Sequence, residues 1–208
     1  MKAVVLAGGL GSRLLPMTRV TNKHLLPVFD RPMIHFPIQQ RVHAGIDEIL
    51  TVTGGNNAGD FLKLLGNGRE FGLKGLHYTY QELRPYADNG PLCVILGDNI
   101  FGQPIKPAVD QFRANPEGAM VMVKEVEDPE RFGVAEFQDD RVVGIEEKPA
   151  QPRSNFAVIG CYFYDSHVFE AVRGLNRSAR GELEISGVNN HYVRAGDTPA
   201  SSCGWLVD

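Results

Sequence analysis

The sequence predicts an α/β fold: a doubly wound, mostly parallel sheet with antiparallel additions in its second half. Three observations point there. Apolar runs of strand length alternate with helix-length patterns as far as residue 124. Glycines follow the first buried run directly, as where a core strand turns out of a sheet. Two short strand patterns flank Gln138-Asp139-Asp140, a hairpin arrangement.

Residues 3–7 (AVVLA) read as a fully buried strand. Residues 32–45 read as a helix, with Pro32 in its first turn, Gly45 as its stop and Pro37 as a kink or a later start. Residues 48–53 (EILTVT) form the next strand. Residues 57–66 suit a short amphipathic helix carrying Phe61, Leu62, Leu64 and Leu65 on or near one face. Strands follow at 75–81 and 92–97, a helix at 104–114 and a strand at 118–124. Residues 132–137 and 141–146 are the hairpin strands and 156–164 a further strand; helices start near Asp165 and Gly181. One connection does not fit this scheme. A parallel return needs a dozen or more residues, usually with a helix. The ten between Gln81 and Leu92 include Pro85, Asn89-Gly90 and Pro91. Either the flanking strands are not parallel neighbours, or the crossover helix is missing.

At 208 residues the chain corresponds to one domain or a little more. It shows no clean linker, so residues 1–208 are read as one domain. Composition is globular, at 43% hydrophobic and 22% charged. A chain of this size buries about 70% of its unfolded surface, which excludes disorder as the main state. A net charge of −4 argues against nucleic-acid binding through a broad basic face. Cys93, Cys161 and Cys203 are odd in number and widely spaced, which fits neither a disulfide framework nor a zinc site and suits a reducing compartment. No apolar run reaches membrane-span or signal length, so a soluble, cytoplasmic protein is expected. The six histidines show no metal spacing.

Gly8, Gly9 and Gly11 sit at the carboxyl end of the first strand, where open α/β sheets bind ligands. Successive backbone N–H groups there can cradle an anion, with Arg13 and Lys23 as converging cations. The spacing matches neither the Walker loop nor the dinucleotide fingerprint. A tight turn beside surface charges reads these residues equally well.

The segments LAGGLGSRLLPMT, NKHLLPVFDRPMI, LGDNIFG, RFGVAEF, EEKP, FAVIGCYFYD, RGELEI and GWLVD occur in that order, from Lys2 to Asp208. Together they resemble the sugar-1-phosphate nucleotidylyltransferases, and among these the shorter glucose-1-phosphate thymidylyltransferases. The resemblance implies a Rossmann-like nucleotidyltransferase core whose antiparallel additions form the sugar-binding side. Residues 1–125 would mainly bind nucleotide and 126–208 mainly sugar phosphate. The implied reaction joins a nucleoside triphosphate, dTTP, to glucose-1-phosphate with loss of pyrophosphate. It needs Mg²⁺ and no covalent nucleophile, and a homo-oligomer is the expected assembly.

By the same resemblance Arg13 and Lys23 hold the triphosphate, and Gly8, Gly9 and Gly11 cradle the nucleotide. Leu6 and Gln81 face the base. Asp98 and Asp208 bind the metal. Glu147 bonds sugar hydroxyls, and Lys148 and Arg180 the sugar phosphate. Asn99, Gly133, Val158 and Tyr162 line the sugar pocket. Taken singly, Asp98 reads as a turn cap with Asn99, Glu147-Lys148 as a solvated pair, and the lining residues as core or turn. The chain departs from the family pattern at three places. The Gly-Leu/Ile-Ala-Gln/Glu-Ala helix after Gln81 is missing, at the short connection noted above. Ile159 and Ser186-Gly187 replace Thr and Thr-Asp. The family's Thr-Gly-Thr turn and closing helix would follow Asp208. The first departure leaves UTP or CTP open as the triphosphate. Another sugar phosphate, or a nucleotide-sugar-binding protein without catalysis, remains an alternative.

Overall fold

The computed structural model describes residues 1–9, 11–54, 57–79, 86, 90–138, 141–175 and 184–195. The chain divides into two compact units, Met1–Gln111 and Phe112–Asp208.

The first unit is built on strands β1 (Lys2–Ala7), β4 (Glu48–Thr53), β5 (Gly75–Thr79) and β6 (Leu92–Leu96), with a two-residue pair, β2 (Pro27–Val28) and β3 (Arg31–Pro32), between the first two. The four longer strands pair in parallel in the order β5-β4-β1-β6. Their runs of Val, Ile, Leu and Ala are buried at Ala3–Val5, Ile49–Thr51 and Leu92–Ile95, as strands of a covered parallel sheet require. The chain steps outward from β1 to β4 to β5, then returns to the other side of β1 as β6. A topological switch point therefore lies between β1 and β6, and the crevice beyond their carboxyl ends is where open α/β sheets take ligands. β5 and β6 run parallel but are not neighbours, since β4 and β1 lie between them, and most of the short connection falls outside the described residues.

Helix α1 (His35–His43) corrects the helix expected from residue 32. Pro32 belongs to β3, paired with Pro27. Pro37 is the third helical residue, where the first-turn amides have no partner within the helix, so its missing N–H is tolerated. Helix α2 (Ala58–Leu65) buries Phe61 and Leu65, one turn apart. Helix α3 (Lys106–Ala114) contains the division between the units. Between β1 and β2 run three 3₁₀ turns, Ser12–Leu14, Met17–Arg19 and Lys23–Leu25, where the sequence suggested no element.

The second unit holds β7 (Ala119–Glu125), β8 (Gly133–Gln138), β9 (Arg141–Glu147) and β10 (Phe156–Tyr164), with helices α4 (Val168–Arg173) and α5 (Ile185–Ala195). Its pairings among the described residues are antiparallel: β7 with β10, β10 with β8, and β8 with β9. The hairpin strands are as expected, and turn residues 139–140 lie outside the described residues. The run at 118–124, counted with the parallel alternation, is corrected to an antiparallel partner of β10. Its apolar residues report burial on both faces, which carries no information about strand direction. Strand β9 ends the sheet order, and α5 packs against it.

Candidate active site

The glycine turn after β1 is shaped around Lys23. A Cβ on Gly9 would lie 3.3 Å from Lys23 Cε. Gly11 has φ +63°, and a Cβ there would meet Thr18 Cγ2 at 2.7 Å and Lys23 Cβ at 3.1 Å. Only glycine fits that backbone and that space. Thr18 closes the turn by donating its hydroxyl to the Gly11 carbonyl at 2.8 Å. Arg13 is exposed on the same loop and makes no ion pair among the described residues.

At the switch point, the Gly97 N–H donates to the Leu6 carbonyl at 2.8 Å and ties the end of β6 to β1. Asp98 follows, and its carboxylate accepts a hydrogen bond from the Lys23 ammonium in a close ion pair. Burial pushes the Asp98 carboxyl up, but the Lys23 hydrogen bond and charge outweigh it and hold the group below the usual carboxylate range. Asp98 is therefore ionised at neutral pH. A lone carboxylate beside a turn of backbone amides and a lysine suits a polyanion that brings its own oxygens to a cation.

Two residues flanking Lys23 escaped the reading of the sequence. Asn22 caps the 3₁₀ turn of Lys23: its Oδ1 accepts the His24 N–H at 3.0 Å and lies 2.6 Å from His24 Nδ1. Its Nδ2 donates to the Ala7 carbonyl at 3.2 Å, binding the turn to the end of β1. Both side chains are buried. Burial, then the Lys23 charge, lower the His24 pKa from 6.5 to about 4 against a weaker pull from Asp98. The ring is neutral, so its Nδ1 donates to Asn22. The available signal was a preferred N-cap residue directly before Lys23-His24-Leu25.

In the second unit, Gly133 and Glu147 are partners across β8 and β9. A Cβ on Gly133 would stand 3.2 Å from Glu147 Oε2, so the glycine leaves room for that carboxylate. Lys148 has φ +49° and donates its N–H to the Phe132 carbonyl at 2.8 Å. Its ammonium is 3.8 Å from Glu147 Oε1. A non-glycine residue in the left-handed region is uncommon, and such residues cluster at functional sites. Val158 is half-buried beside a bulge in β10, where Gly160 has φ +64°. Tyr162 is 3% exposed and stacks on Tyr164, and burial raises its pKa.

The structure thus joins Lys23, Asp98, Gly9 and Gly11 in the first unit, with Leu6 and Gly8 on the same strand end and Asn99 next to Asp98. It joins Gly133, Glu147 and Lys148 in the second. Gln81, Arg180 and Asp208 lie outside the described residues, as does Cys203. Cys93 and Cys161 are buried and form no disulfide among the described residues.

The sequence profile of the nucleotidyl transferase family matches residues 2–205. A glucose-1-phosphate thymidylyltransferase of Neisseria meningitidis is 43% identical over 222 aligned positions, covering 99% of this chain and 77% of its own. One from Mycobacterium tuberculosis is 37% identical, with the same coverages. Alignments of 222 positions against 208 residues mean that these relatives carry residues this chain lacks within the matched span. Among solved structures, a Bacillus anthracis protein crystallised with a sucrose superposes with a TM-score of 0.88 at 45% identity, covering 95% of this chain and 84% of its own. A UDP-glucose pyrophosphorylase bound to UDP-glucose has a TM-score of 0.80 at 23% identity, a likeness of fold.

Proposed function

We propose a reaction on one premise: this chain belongs to the nucleotidyl transferase family. The protein transfers a thymidylyl group from dTTP to glucose-1-phosphate, giving dTDP-glucose and pyrophosphate. The observation that carries this is the match, over 99% of the chain, to relatives at 37–43% identity named for that activity.

The chemistry is an in-line displacement. A phosphate oxygen of the sugar phosphate bonds to the α-phosphorus, and the bond from that phosphorus to the bridging oxygen breaks. The electron pair leaves with pyrophosphate. The protein's task is to place two anions together and offset their charge. In our reading the N–H groups around Gly8, Gly9 and Gly11 receive the triphosphate. Lys23, steadied by Asp98 and by the Asn22–His24 pair, meets its oxygens, and Arg13 joins from the same loop. Leu6 and Gln81 face the base. In the second unit Glu147 bonds sugar hydroxyls and Lys148 and Arg180 hold the sugar phosphate, with Gly133, Val158 and Tyr162 around the sugar; Asn99, which belongs to the first unit, is assigned to the sugar as well.

Asp98 fits a Mg²⁺ ion, which takes one or two carboxylates and completes its shell with phosphate oxygens and water. Asp208 is the proposed second carboxylate. When bound, the ion would offset charge on the triphosphate. Among the described residues no helix is long and apolar enough to cross a membrane, and we place the reaction in the cytoplasm.

The test is pyrophosphate release with Mg²⁺, glucose-1-phosphate and, in turn, dTTP, UTP, CTP, ATP and GTP. The reading expects turnover with dTTP preferred. Preference for UTP would overturn the base assignment, and no turnover with any triphosphate would overturn the reaction.

A further inference from the structure

We propose that Asn190, on α5, is a positioning residue for sugar-phosphate binding: it clamps the free edge of β9 and so sets where Glu147 and Lys148 are presented. This rests on the roles given to those two residues above.

Among the described residues strand β9 pairs with β8 on one side only. On its other side the Ile145 N–H donates to Asn190 Oδ1 at 2.9 Å, and the Ile145 carbonyl accepts from Asn190 Nδ2 at 2.6 Å. Both main-chain groups of a strand residue point the same way, so this one amide completes Ile145 as a neighbouring strand would. A carboxamide suits the task because it offers an acceptor and a donor side by side, as a peptide does. A strand register that slips by one residue turns every side chain to the opposite face. Glu147 stands two residues beyond Ile145 and shares its face. The position a Cβ would take on Gly133 is 3.2 Å from Glu147 Oε2 and 3.8 Å from Ile145 Cγ2, so both side chains converge over that glycine. Fixing Ile145 therefore fixes the carboxylate, and the left-handed Lys148 follows at once.

The helix that bears the clamp is itself anchored. Tyr164 on β10 donates its hydroxyl to Asn189 Oδ1 at 2.6 Å, and Tyr192 donates to Asp165 Oδ1 at 2.7 Å. Adjacent residues of α5 thus bind two different strands, which relates β9 to β10. A half-open cavity of about 290 Å³ lies beside this contact of the hairpin with α5, lined by Glu136, Glu146, Arg153, Asn190, Val193 and Arg194 among others. The amide adds a directional link to the packing of α5 on β9.

The experiment measures KM for each substrate, and kcat, in the wild type, Asn190→Ala, Asn190→Asp and Lys148→Ala. Asn190→Ala is expected to raise the KM for glucose-1-phosphate by roughly tenfold, about 1.4 kcal/mol of binding, and to leave the KM for dTTP within twofold. Asn190→Asp keeps an acceptor for the Ile145 N–H but, ionised at neutral pH, has no donor for the Ile145 carbonyl. It should therefore raise the KM for glucose-1-phosphate as Asn190→Ala does, although it preserves the size of the side chain. A merely structural role would lower kcat per mole of protein with both KM values unchanged, or raise both together, and either result overturns the proposal. If Lys148→Ala raises the KM for glucose-1-phosphate and neither Asn190 variant does, the clamp falls and the site reading stands. If Lys148→Ala has no effect, the site reading falls and the clamp with it. Should Asn190→Ala fail to fold, the KM of the near-isosteric Asn190→Asp for glucose-1-phosphate decides.

Discussion

His24 should make the stability of this protein fall with acid in a window that carboxylates do not explain. The ring is 2% exposed, donates to Asn22 Oδ1 and stands beside the Lys23 charge. Its pKa is lowered to about 4 in the folded chain, against the ordinary imidazole value of 6.5. Between those values the unfolded chain binds the extra proton and the folded chain does not, so stability drops as pH falls from 6.5 towards 4. Above 6.5 both states are neutral and the residue contributes nothing to the slope. Each unit of separation is worth ~1.4 kcal/mol, so the full loss is about 3 kcal/mol. The assay is urea unfolding followed by circular dichroism from pH 7.5 to 4.5, for the wild type and His24→Gln. Glutamine cannot take up the proton, yet its amide can donate to Asn22. The wild type should lose about 2–3 kcal/mol more than the variant over that range. Parallel profiles would refute the reasoning, because they would show that His24 is not held neutral by burial.

Three further outcomes are expected. Gly11→Ala places a methyl 2.7 Å from Thr18 Cγ2 at φ +63° and should destabilise the protein by about 1–2 kcal/mol; because Lys23 Cβ is also crowded, kcat/KM for dTTP should fall, and urea midpoints with steady-state kinetics check both. Lys148→Gly and Lys148→Ala should be equally weak towards glucose-1-phosphate, but the glycine variant should be more stable by about 1 kcal/mol, since only alanine retains the left-handed strain at φ +49°. Asp98→Asn removes the carboxylate that holds Lys23, and pyrophosphate release should drop about a hundredfold or more while the circular dichroism spectrum is unchanged; retention of full activity would remove Asp98 from the site.

Local order was legible wherever burial writes a run into the chain. AVVLA, EILTVT, LCVIL and FAVIGCYFY all form strands at or within a residue or two of where they were read. Direction and order were not legible, because an apolar run says that both faces are covered and nothing about which neighbour covers an edge. Hence β7 was grouped with the parallel strands, and the switch point beside β1 emerged only from the pairing. The β2–β3 pair was hidden because Pro27 and Pro32, poor strand formers, hold half of its four positions. In the site, the glycine turn and its cations could be picked out, but the Lys23–Asp98 contact spans 75 residues and the Asn190–Ile145 clamp 45. Contacts at such separation are products of the fold. Asn22 and His24 were missed for a different reason: their work is done by local hydrogen bonds on either side of the lysine that drew attention.

The central claim is that this chain joins the thymidylyl group of dTTP to glucose-1-phosphate. Its most direct test is quantitative ³¹P NMR of the products formed with Mg²⁺ and both substrates. The account predicts one dTDP-glucose for each pyrophosphate, and neither product when glucose-1-phosphate is left out. Pyrophosphate released with dTMP, independent of the sugar phosphate, would contradict it.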